Sequence, residues 1–346
     1  MSGRKIKVTL EPCRLELFKP FRISRDVYDH KVGFRVILRY GELTGLGEAN
    51  EHGYYQVTQA ALEDQLTILK SIVEEQNLIH PEEMYDLMEQ AIGFQPFALA
   101  AMDMAYWDLY AKTQNRPTRD LFDLPTPPPK LQYTSYTISI DDPKEMEKEV
   151  RTHPFKKFKV KLGTKNDIQL MHKLLALTNS EFYIDANCAW DLEYATEFAH
   201  TFQHTNLKMI EQPLQADEWE PMARLKQETI IPLFADESFI HQSDLLKCLD
   251  SFDGINIKIL KCGGLTPAIE IIHHAMKADA PVMIGCMMES SIGISAAMQV
   301  TPWASFIDID SALFLKNDPA EGCVIGTDGQ VFLQKTPGNG SLLKKN

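Results

Sequence analysis

Apolar and polar residues alternate over Lys5–Phe18 and again over Lys31–Arg39, which predicts two β-strands. The second runs into Tyr40-Gly41-Glu42-Leu43-Thr44-Gly45-Leu46-Gly47, where the glycines suit a hairpin. Helical spacing follows in Val57–Gln76, Pro81–Ile92 and Pro96–Thr113, the last with Ala98, Met102, Tyr106, Leu109 and Tyr110 in helical phase. Thr126-Pro127-Pro128-Pro129 cannot continue a helix and marks a domain boundary. The first 125 residues therefore read as an α+β unit.

Beyond the prolines the pattern becomes a regular alternation. Short apolar runs occur at Tyr133–Ile140, Lys157–Leu162, Phe182–Ala186, Lys208–Ile210, Pro232–Ala235, Gly254–Ile259, Pro281–Cys286 and Phe306–Ile309, with amphipathic stretches between them. Eight strands alternating with helices over about 180 residues predict a β/α barrel, with a doubly wound open sheet as its structural rival. From about Asp318 the turn signal Gly326-Thr327-Asp328-Gly329 lies between apolar runs, and predicts a hairpin returning to the first domain. The expected units are thus 1–125, 126–317 and 318–346.

Composition narrows the function. With 35 basic and 48 acidic residues the formal charge is −13, which argues against nucleic acid and anionic membranes as partners. Cys13, Cys188, Cys248, Cys262, Cys286 and Cys323 show no CxxC spacing, so a reducing compartment is expected. No apolar signal segment opens the chain and no run reaches about 18 apolar residues, which makes the cytoplasm the default. Sequence leaves the oligomeric state open, a homo-oligomer included.

Charged residues sit where the strands of the second unit end: Lys159 and Lys161, then Asp185, Glu211, Asp236 and Lys258. From Lys161 onward the steps are 24, 26, 25 and 22 residues. A strand, a helix and two loops take about 25 residues, so each residue occupies the same place on a successive barrel strand. A lone acid after a strand is most often a solvated loop charge; six positions in one phase are hard to assign to coincidence. Three carboxylates on neighbouring strands repel unless a cation sits between them, and hard oxygen ligands in that number suit Mg²⁺. Lys161 precedes the acids and Lys258 follows them, so in a closed barrel they face each other across the metal. This is the equipment for removing a proton alpha to a carboxylate through an enediolate. Lys159 and the metal would both disfavour protonation of Lys161, as a base requires.

Lys159-Val160-Lys161, Asp185-Ala186-Asn187, Glu211-Gln212-Pro213, Asp236-Glu237-Ser238 and Asn256-Ile257-Lys258 together resemble the motif series of the enolase superfamily, muconate-lactonizing subgroup. The resemblance covers nearly the whole chain. It implies a modified TIM (β/α)7β barrel with an N-terminal α+β capping domain, one Mg²⁺ on Asp185, Glu211 and Asp236, and Lys161 and Lys258 as bases. Within the subgroup, Asp308-Ile309-Asp310 resembles the dipeptide epimerases of the L-Ala-D/L-Glu type, in which such a pair receives a substrate ammonium. Lys19-Pro20-Phe21-Arg22-Ile23-Ser24-Arg25 resembles the capping-domain substrate loop. By that likeness Arg25 meets the side-chain carboxylate of a glutamate substrate, Thr137 touches substrate from the first barrel strand, and Lys159 completes the binding set. The likeness also implies a role in murein-peptide recycling. Muconate cycloisomerase, o-succinylbenzoate synthase and N-acylamino-acid racemase use the same scaffold but have no need of an acidic pair for an ammonium. Gly45-Leu46-Gly47 lacks the rest of a dinucleotide motif, and Met283, Met287 and Met288 read as core and pocket lining. Glu289 ends the seventh strand, as a pocket residue or one that orients Lys258.

Overall fold

A computed structural model describes residues 5–345; residues 1–4 and 346, the extreme ends of the first and last expected units, lie outside the described residues. The two alternating stretches form an antiparallel meander in which β1 (Lys7–Ile23) pairs with β2 (Asp26–Tyr40), and β2 with β3 (Leu43–Asn50). β1 is longer than its alternation predicts. Its pairing slips between Glu16 and Phe21 and then resumes as Phe21↔Tyr28 through Ile23↔Asp26. The segment likened to a loop is therefore largely strand, turning only at Ser24 and Arg25. The slip leaves three extra residues on β1, and an insertion of this kind bends and twists a strand. Here it carries Phe21, Ile23 and Arg25 to the wall of the cavity at the barrel mouth.

Three helices follow, α1 (Gln59–Glu75), α2 (Pro81–Ile92) and α3 (Pro96–Thr113). Thr58 caps α1 by accepting from the Ala61 N–H, and prolines open α2 and α3 where a missing N–H costs nothing. α3 is buried on almost every face because it lies between the sheet and the barrel. Gly45 and Gly47 let β3 reach it. A Cβ at Gly45 would stand 2.1 Å from the Ala105 carbonyl oxygen, and one at Gly47 1.9 Å from that of Ala101. The glycines read as hairpin residues thus serve close packing of strand on helix.

The remaining elements alternate: β4 (Tyr136–Ile138), α4 (Pro143–Thr152), β5 (Lys157–Lys161), α5 (Asp167–Leu175), β6 (Glu181–Asp185), α6 (Leu192–Phe202), β7 (Leu207–Glu211), α7 (Trp219–Glu228), β8 (Leu233–Ala235), α8 (Leu245–Ser251), β9 (Gly254–Lys258), α9 (Ile259–Cys262), α10 (Leu265–Lys277), β10 (Val282–Gly285), α11 (Ser291–Met298) and β11 (Phe306–Asp308). β4 to β11 form one eight-stranded parallel sheet in sequence order. The last strand leads into a 3-10 turn, Ser311–Phe314, so the barrel is of the (β/α)7β kind. Its seam, β11 to β4, is closed by Ser135 N–H donating to the Ile307 carbonyl (3.1 Å) and Ile309 N–H donating to Thr134 Oγ1 (2.9 Å). Among the described residues no helix is long and apolar enough to cross a membrane. In the tail, β12 (Ala320–Glu321) pairs with β15 (Leu342–Leu343), and β13 (Val324–Ile325) forms a hairpin with β14 (Val331–Phe332). That hairpin leans on the start of the barrel, where Thr134 N–H donates to Gly329; the stretch after it packs on α3, where Asn339 N–H donates to Asp108.

Two buried carboxylates tie the first unit to the barrel. Glu48 on β3 accepts from Ser290 N–H (2.7 Å), Ser290 Oγ (2.8 Å) and Gly293 N–H (2.9 Å) at the start of α11. Asp103 on α3 accepts from Thr266 N–H (3.0 Å) and Thr266 Oγ1 (2.7 Å) at the start of α10. Each acid fills orphan donors at a helix N-terminus, where negative charge is favoured. Glu48→Ala should therefore cost about 2–4 kcal/mol in urea unfolding, since it strands buried donors. Glu42→Ala, at an exposed turn, should stay within about 0.5 kcal/mol. Equal stability of the two variants would refute the role given to Glu48.

Candidate active site

Period-two alternation builds the site in layers. Tyr183, Met209, Phe234, Met283 and Phe306 form an apolar cluster inside the barrel. Two residues further on, each of these strands presents the next layer: Asp185, Glu211, Asp236, Gly285 and Asp308. The register carries the same layer sideways, with Lys161 opposite Asp185, Asp185 opposite Glu211, and Gly285 between Lys258 and Asp308. The charged groups therefore stand on an apolar floor at the carboxyl end of the strands, where all are buried.

Charges on such a floor must be matched. Lys161 Nζ lies 2.5 Å from Asp185 Oδ2. Lys159 Nζ reaches three carboxylates: Glu211 (2.7 Å), Asp308 (2.8 Å) and Asp185 (3.1 Å). Lys258 Nζ lies 2.6 Å from Asp236 Oδ2, and Lys261 Nζ 2.6 Å from Oδ1 of the same residue. Burial disfavours the charge on Asp185, but Lys161 and Lys159 outweigh it and hold the carboxyl well below its usual range. Burial likewise opposes the charge on Asp236, and Lys258 and Lys261 overcome it. Glu211 moves the other way, up to about 7, through burial and the negative charge of Asp185. Burial works against the Lys258 ammonium too, yet Asp236 and Glu211 keep its pKa above the ordinary lysine value.

One carboxylate oxygen from each of Asp185, Glu211 and Asp236 lies within 4.8 Å of the others. Three hard, buried oxygens at that separation fit one divalent cation, leaving room for outer oxygens to complete its shell. Lys161 on β5 and Lys258 on β9 are four strands apart in the eight-stranded order, hence on opposite walls with the three acids between them.

Strand β11 ends at Asp308, so Asp310 belongs to the turn that follows rather than to the strand. Both still converge on β4: Asp308 Oδ1 accepts from Ser135 Oγ (2.7 Å) and Thr137 Oγ1 (3.3 Å), and Asp310 Oδ2 accepts from Thr137 N–H (2.5 Å). Asp308 keeps a low pKa because Lys159 outweighs its burial; burial and the charge of Asp308 push Asp310 up to about 7. A cavity lies over the floor, bordered by Lys161, Lys258, Thr137, Asp308, Asp310 and Arg25. Arg25 arrives there already engaged: Nη2 lies 2.5 Å from Glu237 Oε1, Nη1 donates to the Asn187 carbonyl (2.9 Å), and the guanidinium lies over Tyr54.

Two further residues escaped the sequence reading. Asn256 donates to Glu211 Oε1 (2.7 Å), and Lys261 also donates to the Asp236 and Asn256 carbonyls. Asn256 stands inside a recognised motif, whereas Lys261 lies on α9 just beyond it, where nothing in the sequence marks it. Gly285 is small for a reason, since a Cβ there would meet the Asn256 amide at 2.5 Å.

Comparison with known proteins bears on this arrangement. Residues 142–345 match the family model described as enolase C-terminal domain-like, and residues 5–122 match the N-terminal domain of mandelate racemase / muconate lactonizing enzyme. The chain belongs to the mandelate racemase / muconate lactonizing enzyme family. Among relatives in this family, an L-Ala-D/L-amino acid epimerase of a Maribacter species is 37% identical over 340 residues, covering 98% of this chain and 100% of the relative. An L-Ala-D/L-Glu epimerase of Bacteroides thetaiotaomicron is 32% identical, covering 98% of this chain and 88% of its own. The solved dipeptide epimerase of Cytophaga hutchinsonii, complexed with Mg and the dipeptide D-Ala-L-Val, superposes with a TM-score of 0.92 at 25% identity, over 99% of this chain and 97% of that one.

Glu289 stands behind Met287 and Ser311 of the cavity wall and does not itself line it. It is buried; Oε1 accepts from Met287 N–H (2.8 Å), whereas Oε2 has no partner among the described residues. Burial and then the neighbouring Glu48 push its carboxyl up to about 8 from an ordinary 4.5, while Lys258 pulls weakly the other way. A carboxyl with a raised folded pKa contributes stability that is complete below the unfolded value and is lost as pH rises through the folded one. Between pH 5 and 8 the Tm of the native chain should therefore decline more steeply than that of Glu289→Gln, which stays neutral throughout. Parallel melting curves across that range would refute the shift.

Proposed function

We propose that this chain is a Mg²⁺-dependent dipeptide epimerase that moves the α-proton of the C-terminal residue of an L-Ala-D/L-Glu-like dipeptide. The observation that carries the reading is the placement of Asp308 and Asp310 beside a pair of opposed lysines and a three-carboxylate cluster. Asp185, Glu211 and Asp236 would hold the ion. Mg²⁺ there supplies Lewis-acid stabilisation of the negative charge that develops on the substrate carboxylate, and its own charge favours neutral lysines nearby.

The chain's own groups do the rest. Lys161 and Lys258 address opposite faces of the α-carbon, so one removes the proton and the other returns one without any rotation of the intermediate. Lys159 holds Asp308, Glu211 and Asp185 in register. Asp308 and Asp310 receive the free α-ammonium of the first residue, and Thr137 orients both acids. At about 4 Å and an effective dielectric near 20, one such pairing is on the order of 4 kcal/mol before desolvation. An N-acylated substrate forfeits it, which is why this reading is preferred to an N-acylamino-acid racemase or a cycloisomerase. In this reading residues 1–125 cap the site, 126–317 form the barrel and 318–346 return to the cap. A cytoplasmic setting accords with the free thiols, and a place in murein-peptide recycling rests on the family resemblance.

The deciding experiment is a dipeptide library incubated with Mg²⁺ in deuterated water, read by mass for α-deuterium. L-Ala-L-Glu should exchange and epimerise, and its N-acetyl form should react far more slowly; equal rates would remove Asp308 and Asp310 from substrate binding. Ala at Asp185, Glu211 or Asp236 should abolish most activity and weaken Mg²⁺ binding in calorimetry, and full activity after chelation would sink the metal assignment. Lys161→Ala and Lys258→Ala should each slow epimerisation by at least about 10²–10⁴-fold, the range of a general acid–base group. One of them should still exchange the α-proton of a single stereoisomer, whereas wild-type epimerisation by either would exclude two bases.

A further inference from the structure

The capping side of the cavity contains a cation with no anionic partner among the described residues. Four cationic side chains line the cavity: Arg25, Lys31, Lys161 and Lys258. Arg25 is held by Glu237, Lys161 by Asp185 and Lys258 by Asp236. Lys31, on β2, is 8% exposed and makes no ion pair within 4.0 Å among the described residues. Its ammonium rests 3.9 Å from the centroid of the Tyr28 ring. A cation–π contact of this kind is far weaker than a buried ion pair. Burial depresses the Lys31 pKa; Asp26 and Glu51 oppose that depression only from a distance.

The surroundings of Lys31 have a definite character. Phe21 stacks on Tyr28 (5.7 Å between centroids) and meets Phe314 at a tilt (5.7 Å), giving an apolar wall. His52 borders the same chamber with Nδ1 unpartnered, and burial, reinforced by the Lys31 charge, holds its pKa near 3. It is therefore a neutral hydrogen-bonding group and not a rival cation. An apolar wall ending in one unpaired ammonium suits a methylene chain that ends in a carboxylate.

We propose that Lys31 is the specificity-determining residue that receives the distal carboxylate of the epimerised residue, making dipeptides with an acidic second residue the preferred substrate class. The proposal rests on the dipeptide reading above and deepens it. With the reacting carboxylate over the three acids and the ammonium at Asp308 and Asp310, the remaining side chain can leave only toward the cap. Lys31 waits there uncommitted, whereas Arg25 holds Glu237 in place.

The test compares L-Ala-L-Glu with its neutral isostere L-Ala-L-Gln on the full chain with Mg²⁺, taking the ratio of the two kcat/KM values from α-deuterium incorporation. The ratio is measured on one protein sample, so any misfolded fraction cancels. The wild type should favour Glu by about 10- to 100-fold, the range of a hydrogen-bonded charge. Lys31→Met should bring the ratio close to unity, Lys31→Arg should retain the preference, and Lys31→Glu should shift it toward L-Ala-L-Lys. A wild type indifferent to the Glu/Gln change would overturn the proposal. So would a preference that survives Lys31→Met, or one that collapses in Arg25→Met alone. Those results leave dipeptide exchange itself intact; a chain that exchanges no dipeptide at all fails the underlying reading as well.

Discussion

Four carboxylates and four ammonium groups can be buried at the mouth of this barrel only because they are buried together. Asp185, Glu211, Asp236 and Asp308 face Lys159, Lys161, Lys258 and Lys261 above a floor of aromatic and sulfur-bearing side chains. Water cannot reach them from beneath, so each charge depends on its neighbours for solvation. Lys159 is the clearest case. Burial works against its charge, and the three carboxylates it touches reverse that effect and hold it firmly protonated. It is an integral part of the site's electrostatics, which distinguishes it from Lys161 only two residues away. Strand alternation gives the two lysines the same facing, but their different partners give them different duties.

The first unit depends on the same barrel mouth. Its meander supplies the cavity's outer wall through the end of β1 and the start of β2, and its carboxylates occupy the N-termini of α10 and α11. Those contacts are buried and directional, so the wall is held at a set height above the charged layer. The substrate chamber is therefore defined by two separately folded patterns, a period-two meander and a β/α alternation, meeting across α3.

Most of the architecture was legible in the sequence, because each barrel strand carries its own apolar run and each active acid falls in one phase of it. All eight runs became strands within a few residues. Other features were hidden for physical reasons. Pro20 sits inside the slip of β1, and a proline there reads as a strand end rather than a bulge, so the strand seemed to stop early. Gly45 and Gly47 read as turn residues, since a single sequence does not show that α3 would press on them. Lys31 was passed over because a lysine in an alternating strand looks like an ordinary polar position. The burial of its ammonium without a counter-charge is what separates it from the other basic side chains among the described residues. The commitment of Arg25 to Glu237 was equally invisible, since the two are 212 positions apart.

The seam of the barrel places a constraint on how this chain can diversify. Asp308 and Asp310 hold Ser135 and Thr137 across the gap between the last strand and the first, where few backbone bonds are available. A lineage that exchanged either acid to accept a differently terminated substrate would loosen the closure of the sheet in the same step. Innovation at that end of the pocket therefore requires a compensating change in Ser135 or Thr137. On the capping wall, Arg25 is tied to the barrel through Glu237 and Phe21 packs on Phe314, but Lys31 makes no ion pair among the described residues. Its exchange would break no buried charge pair and no closure of the sheet, which makes that one position of the outer chamber freer to evolve than the acids at the seam.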